Sequence, residues 1–157
     1  GRDRTLRWAL LYVVVAMALG TGLISLLKAL VPMDCPWDLL RYGGHEPFIG
    51  LLASRPEGMP VRACFPAGHA SAGYAWLCLY FFALLWRPAW RWAGLWIGLG
   101  SGLVSGISQQ LRGAHFLSHD VATALLCWLL SLGLFLITER LLARRTLERP
   151  TRQEARA

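Results

Sequence analysis

The chain has 157 residues, which suits a single domain, and it carries a formal net charge of +7. Hydrophobic residues make up 55% of the chain, charged residues make up 16%, and eight residues are tryptophan. This composition excludes an ordinary soluble domain and is typical of an integral membrane protein. We therefore expect one membrane-embedded domain over residues 1–157.

Four stretches are apolar and long enough to cross a bilayer as helices, which takes about 20 residues each. In chain order they are residues 8–27, 70–86, 92–111 and 116–137. They predict an all-α fold, an integral membrane bundle of four transmembrane helices. The first stretch lacks a small-residue cleavage site, so we interpret it as a retained helix and not as a signal peptide.

Arginine and lysine predict the orientation, because cytoplasmic loops carry the excess of positive charge. The predicted cytoplasmic side holds Arg2, Arg4, Arg7, Arg87, Arg91, Arg140, Arg144, Arg145, Arg149, Arg152 and Arg156, and the outer side holds Lys28, Arg41, Arg55, Arg62 and Arg112. The basic tail at residues 139–157 is expected to lie near anionic membrane lipids and not to bind nucleic acid. We expect a multi-pass protein of a bacterial inner membrane whose outer side faces the periplasm.

The longest polar segment, residues 28–69, joins the first two predicted helices on the outer side. It is rich in proline and glycine, and a loop of this length in a small domain is usually functional. Cys35 and Cys64 both lie in it. On an oxidising side of the membrane they would form a disulfide, and the alternative is two separate buried thiols.

A regular spacing of small residues marks the third predicted helix. Gly94, Gly98, Gly102 and Gly106 recur every four residues, so they share one face. Small residues at this spacing allow helices to approach closely in lipid. The face would pack inside the subunit, or it would form the interface of a homodimer.

Polar residues gather at the predicted outer ends of the helices. Lys28 ends the first helix, His69 in "FPAGHAS" opens the second, and "SQQLRGAHFLSHD" joins the third and fourth. Ionisable residues at the edge of transmembrane helices are functional candidates. Because all three segments lie at one membrane level, we expect them to form one pocket at the depth of the lipid head groups.

The residue types in this pocket suit phosphoryl transfer without a metal or another cofactor. Lys28 and Arg112 supply positive charge for a phosphate, and Gly68 offers a backbone N–H at a helix N-terminus. Of two histidines, His69 and His115, one would attack phosphorus and the other would protonate the leaving oxygen. A carboxylate, Asp120, would orient the attacking imidazole.

The three segments resemble the motifs of the phosphatidic acid phosphatase type 2 superfamily, which is related to vanadium haloperoxidases. The family patterns are K-x-x-x-x-x-x-R-P, P-S-G-H and S-R-x-x-x-x-x-H-x-x-x-D. Here they read "KALVPMDCP", "PAGH" and "SQQLRGAHFLSHD", at residues 28–36, 66–69 and 108–120. Members usually have six helices, so two N-terminal helices would be absent here or would belong to a longer parent.

The resemblance implies a role for each matched residue. His115 would be the nucleophile that forms a phosphohistidine, and His69 would be the general acid. Lys28 and the backbone N–H of Gly68 would bind the phosphate. Members usually remove phosphate from a lipid phosphate or pyrophosphate, so membrane lipids would supply the substrate.

Several positions depart from the family patterns. Cys35 and Gln109 stand where the family has arginines, and Ala67 stands where it has a serine. Arg112, one helical turn after Gln109, would reach the same phosphate. Arg41 is our first candidate for the other lost arginine, ahead of Arg62.

The partner of His115 has two candidates. The family aspartate stands four residues after the nucleophile, where this chain has His119, and Asp120 follows it. We favour Asp120, because a carboxylate stabilises an imidazolium better, and this choice requires a local bulge. In the alternative, His119 is the partner or a proton relay.

The sequence therefore predicts a lipid phosphatase with its site at the outer face of the membrane. Phosphatidylglycerol phosphate, undecaprenyl pyrophosphate, phosphatidic acid and lipid A are the candidate substrates. Three alternatives remain. The same site would serve a lipid phosphotransferase, the spacing of His115 and His119 would suit a metal-dependent hydrolase, and the substituted motifs would suit a lipid-binding protein that has lost its activity.

Overall fold

The computed structural model describes residues 2–51 and 53–154, and it describes side chains for residues 3–51 and 53–145. The helices are α1 (Arg2–Leu30), α2 (Gly68–Tyr74), α3 (Cys78–Trp86), α4 (Arg91–Leu111) and α5 (Leu117–Glu154). A 3-10 turn, Ala75–Leu77, joins α2 to α3. The only extended pairing among the described residues consists of two isolated bridges, so the all-α prediction is confirmed.

Three helices in the described part of the chain are long and apolar enough to cross a membrane. They cover Asp3–Leu30, Gly68–Trp86 and Leu117–Arg145, and they match three of the four predicted spans. The fourth predicted span also forms a helix, α4, of 21 residues. Five glycines and three serines lower its mean hydropathy, which is therefore below that of the other three helices.

Two of the helix ends that the charge pattern assigns to the cytoplasmic side lie side by side. The guanidinium of Arg145 lies 4.7 Å from the ring centroid of Trp8, so the end of α5 lies beside the start of α1. Deeper in the bundle, the Tyr12 hydroxyl donates to the Ser131 carbonyl oxygen at 2.9 Å. The side chains of Arg2, Arg149, Arg152 and Arg156, which belong to the predicted cytoplasmic set, lie outside the described residues.

The glycine face of α4 packs against α2, α3 and α5 of the same subunit. All four glycines of the face are buried. A Cβ on Gly94 would lie 2.6 Å from the Leu79 backbone, and one on Gly102 would overlap the ring of Tyr74. The face is therefore an internal packing surface, because only glycine lets the backbones approach this closely.

The outer loop between α1 and α2 is irregular, and covalent and ionic links join its two ends. It contains two short 3-10 helices, Pro36–Asp38 and Leu40–Tyr42. Cys35 and Cys64 are joined by a disulfide. Near that bond, Arg55 Nη2 lies 2.5 Å from Asp34 Oδ1 in a largely buried ion pair. These links hold the segment after α1 against the segment before α2.

Candidate active site

Lys28 and Gly68 meet at the junction of α1 and α2. A Cβ added at Gly68 would lie 3.2 Å from Lys28 Cδ and 3.3 Å from Lys28 Nζ. The ammonium group therefore lies over the start of α2, where backbone N–H groups have no partner within the helix. A cation beside free N–H donors is an arrangement that suits an anion such as phosphate.

His115 lies in the reversal between α4 and α5. α4 ends at Leu111, Gly113 follows with φ of +71°, and its N–H donates to the Gln110 carbonyl. Gly113 can adopt this left-handed conformation without a steric cost, which lets the chain turn back within a few residues. The outer loop supports this turn, because Trp37 N–H donates to the Gly113 carbonyl at 3.0 Å.

The surroundings of His115 keep its imidazole neutral. The side chain is only 6% exposed, and it lies before the membrane-spanning part of α5. Burial lowers the pKa of His115 from its ordinary value of 6.5 to about 4. The charges of Lys28 and His69 act in the same direction, whereas the backbone of Cys64 opposes them. The charges of Lys28 and His69 therefore act on His115, and its neutral ring has a free lone pair for nucleophilic attack.

His119 is the imidazole beside His115. Their ring centroids are 5.8 Å apart, and His119 is fully buried. The edge-to-face contacts of His119 with Phe65 and Phe116 both have centroid distances of 5.3 Å. Neither of its ring nitrogens has a hydrogen-bond partner among the described residues. Packing against these aromatic rings therefore holds the His119 imidazole beside His115.

Asp120 is directed towards α4. One carboxylate oxygen accepts a hydrogen bond from Gln110 Nε2. A Cβ added at Gly106 would lie 2.8 Å from Asp120 Oδ2, so the carboxylate lies directly over that glycine. Oδ1 is buried and has no partner in the part of the chain that the structure describes. Of the two predicted partners of His115, the structure therefore places His119 beside it and directs Asp120 to Gln110.

The arginines of the site lie at its edge. Arg112 Nη1 lies 3.4 Å from Oε1 of Gln109, so the compensating arginine contacts the residue at the family's arginine position. Arg41 lies over the ring of Tyr42, and Tyr42 contacts Phe116, the residue after His115. Arg62 lies 3.8 Å from Asp38 instead. The side chains of Arg112 and Arg41 are both exposed.

Two further side chains contact the motif backbones and were not predicted from the sequence. Thr123 Oγ1 accepts a hydrogen bond from Ala67 N–H at 2.9 Å. Ser71 Oγ donates to the Gly68 carbonyl at 2.6 Å. The only signal in the sequence is that each polar residue lies in an apolar helix close to a motif histidine.

The described residues contain no group of three or more His, Cys, Asp or Glu side chains placed to hold a metal ion. His115 and His119, the pair whose spacing suggested metal ligands, therefore lack a third such residue within that part of the chain. Cys64 lies nearby but is bonded to Cys35.

No significant match links the chain to a curated protein or to a solved structure. The family model described as the PAP2 superfamily matches residues 9–142, which include all three motifs and at least part of each described helix. That match covers well over half of the chain. The chain therefore belongs to the PAP2 superfamily, a family of phosphatases that act on phosphate esters, often those of lipids.

Proposed function

We propose that this protein is a membrane lipid phosphatase that hydrolyses a lipid phosphomonoester or pyrophosphate through a phosphohistidine on His115. The observation that carries the proposal is the contact of Lys28 with Gly68 at the ends of apolar helices, with the buried His115 within range of the lysine charge. At that level a head group reaches the site while its acyl chains stay in hydrocarbon. Phosphatidylglycerol phosphate, undecaprenyl pyrophosphate, phosphatidic acid and lipid A are the candidate substrates.

The reaction has two steps. In the first, a neutral His115 nitrogen attacks phosphorus, the bond to the leaving oxygen breaks, and His69 donates a proton to that oxygen. In the second, His69 accepts a proton from water, the water oxygen attacks phosphorus, and the P–N bond breaks to release phosphate. Lys28 and the N–H of Gly68 stabilise the negative charge in both transition states.

His119 is the better supported partner for His115 in this scheme. Its ring lies beside that of His115, whereas the Asp120 carboxylate is hydrogen-bonded to Gln110. A second imidazole can accept a hydrogen bond from the ring N–H of the first and so stabilise a positively charged phosphohistidine. Asp120 then holds α4 and α5 together at the site through Gln110.

The cellular location is part of the proposal. The disulfide between Cys35 and Cys64 supports a site on an oxidising side of the membrane, as the periplasm is. The charge pattern supports the same orientation. We therefore propose a bacterial inner-membrane protein with its site on the periplasmic face.

The lowered pKa of His115 predicts how the rate depends on pH. The nucleophile must be neutral, and burial holds its pKa near 4, so kcat/KM should fall on the acid side only below about pH 5. An unperturbed histidine would give a fall near pH 6.5. The measurement is phosphate release from pH 4 to 9, with each sample returned to pH 7 to confirm that the enzyme survives. An acid limb near pH 6.5 would contradict the assigned environment of His115.

The experiment that tests the function is phosphate release by purified protein in detergent. The substrates are phosphatidylglycerol phosphate, undecaprenyl pyrophosphate, phosphatidic acid and lipid A, each with and without EDTA. We expect release from at least one of them at a rate that EDTA does not change. Release abolished by EDTA would replace the proposal with a metal-dependent hydrolase. Transfer of phosphate to an added lipid would indicate a phosphotransferase, and inactivity on every lipid would indicate a lipid-binding protein without catalysis.

A further inference from the structure

Thr123 links the second and third motifs through its hydroxyl group. It lies on α5, one helical turn after His119, and it is fully buried. Its Oγ1 donates to the His119 carbonyl at 2.9 Å and accepts from the Ala67 N–H at 2.9 Å. The hydroxyl thus bridges the backbone beside the predicted relay to the backbone at the start of α2.

Ala67 is the residue on which the start of α2 depends. It immediately precedes Gly68 and His69, and it is fully buried. Its carbonyl accepts the Ser71 N–H at 3.2 Å, which closes the first turn of the helix. Its N–H points away from the helix to Thr123, and no water can replace that partner at zero exposure. Loss of the hydroxyl would leave a buried donor unpaired, which is costly enough to shift the local backbone.

A shift of the backbone at Ala67 would displace the neighbouring residues that are assigned to the reaction. Gly68 carries the N–H assigned to the phosphate, and His69 is the assigned general acid. Lys28 lies against Gly68, with Nζ 3.3 Å from the position of an added Cβ. A displacement of the start of α2 would therefore move the Gly68 N–H, the His69 side chain and the surface against which Lys28 packs. His115 would stay, because the bonds from Gly113 and Trp37 hold its loop from the other side.

From this geometry we infer that Thr123 is a positioning residue for the reaction. Its hydroxyl sets the start of α2 against α5, so that Gly68 and His69 face a phosphoryl group on His115. The inference rests on the proposed phosphatase function. In this inference, a hydroxyl in the transmembrane helix α5 aligns two motifs that lie far apart in the sequence.

The test compares three variants in the purified full-length protein. Thr123→Val keeps the shape of the side chain and removes the hydroxyl, whereas Thr123→Ser keeps the hydroxyl. Thr138→Val is the matched control, because Thr138 Oγ1 makes the same type of bond to the Leu134 carbonyl, at 2.8 Å, within the same helix. Thr123→Val should lower kcat about 10- to 100-fold with little change in KM, since small misplacements of catalytic groups have effects of this size. Thr123→Ser should restore most of the rate.

A purely structural role would give a different pattern. It would lower the melting temperature of Thr123→Val and leave kcat at the value of Thr138→Val, and that result would overturn the inference. An equal loss of kcat in Thr123→Ser and Thr123→Val would overturn it as well. Should Thr123→Val fail to fold, Thr123→Ala, which introduces no extra bulk, takes its place against the same controls.

Hydrogen–deuterium exchange supplies a readout that does not need activity. The amide of Ala67 should exchange faster in Thr123→Val than in the wild type, and Thr123→Ser should behave as the wild type. Unchanged exchange in Thr123→Val would show that the hydroxyl does not hold the start of α2. A wild type that releases no phosphate would refute the proposed function, whereas the exchange data would still decide whether Thr123 fixes this backbone.

Discussion

Replacing His115 by alanine is expected to abolish phosphate release, with a loss of about 10⁴-fold or more in kcat. The reason is that alanine removes the atom that forms the covalent intermediate. The loop should keep its conformation, because it is held through backbone bonds of Gly113 and Ala114 and not through the imidazole. The measurement is single-turnover phosphate release, combined with trapping of an acid-labile phosphoprotein in alkaline quench.

His45→Ala is the matched control for this substitution. His45 is an exposed histidine of the outer loop, and its described bond is a backbone N–H to the Asp38 carbonyl. The control should release phosphate at the wild-type rate and form the same trapped phosphoprotein. If His115→Ala kept full activity, or if the phosphoprotein persisted in it, the phosphohistidine on His115 would be refuted.

The meeting of Lys28 with Gly68 was predictable from sequence, because it depends on helix ends alone. An apolar stretch ending in lysine and another opening with "PAGH" must place both residues at one membrane level if a single outer loop connects them. The structure puts the lysine chain directly over the glycine. Hydrophobic length thus predicted that the two residues meet at the helix ends, although not the contact between the lysine chain and the glycine.

The choice between Asp120 and His119 as the partner of His115 depends on where α5 begins, and the spacing of these residues does not reveal that position. In the structure α5 begins at Leu117, so His115 lies in the preceding turn and helical periodicity does not relate it to His119 or Asp120. The left-handed Gly113 and the hydrogen bond from Trp37 fix the backbone of the turn that carries His115 instead. Those are tertiary features that no spacing reveals.

Thr123 was missed for a related reason. A threonine in an apolar helix normally bonds to the carbonyl one turn earlier, as Thr21 and Thr138 do here. The Thr123 hydroxyl also accepts a bond from Ala67, and that second bond distinguishes it. Composition and periodicity do not show whether a hydroxyl accepts a hydrogen bond. Only the packing of α5 against α2 shows that the Thr123 hydroxyl does.

Replacing Gly98 by alanine is expected to destabilise the bundle strongly. The added Cβ would lie 2.5 Å from the backbone nitrogen of Leu77 and 2.7 Å from its Cα. Neither atom can move without displacing the turn that joins α2 to α3, so α4 must separate from its neighbours. The cost should be about 1–3 kcal/mol of unfolding free energy, and it should exceed the gain in helix propensity from alanine. Thermal unfolding in detergent measures this as a lowered midpoint.

Gly100→Ala provides the internal comparison, because Gly100 lies on the same helix and its added Cβ would meet nothing within 4 Å. It gains the same propensity without the clash, so its unfolding midpoint should equal or exceed that of the wild type. The difference in unfolding midpoint between the two variants therefore measures the effect of the close approach of the backbones. If the glycine face were loosely packed or faced lipid, the two variants would have the same midpoint. Equal midpoints for Gly98→Ala and Gly100→Ala would mean that the glycine face of α4 does not pack inside the subunit.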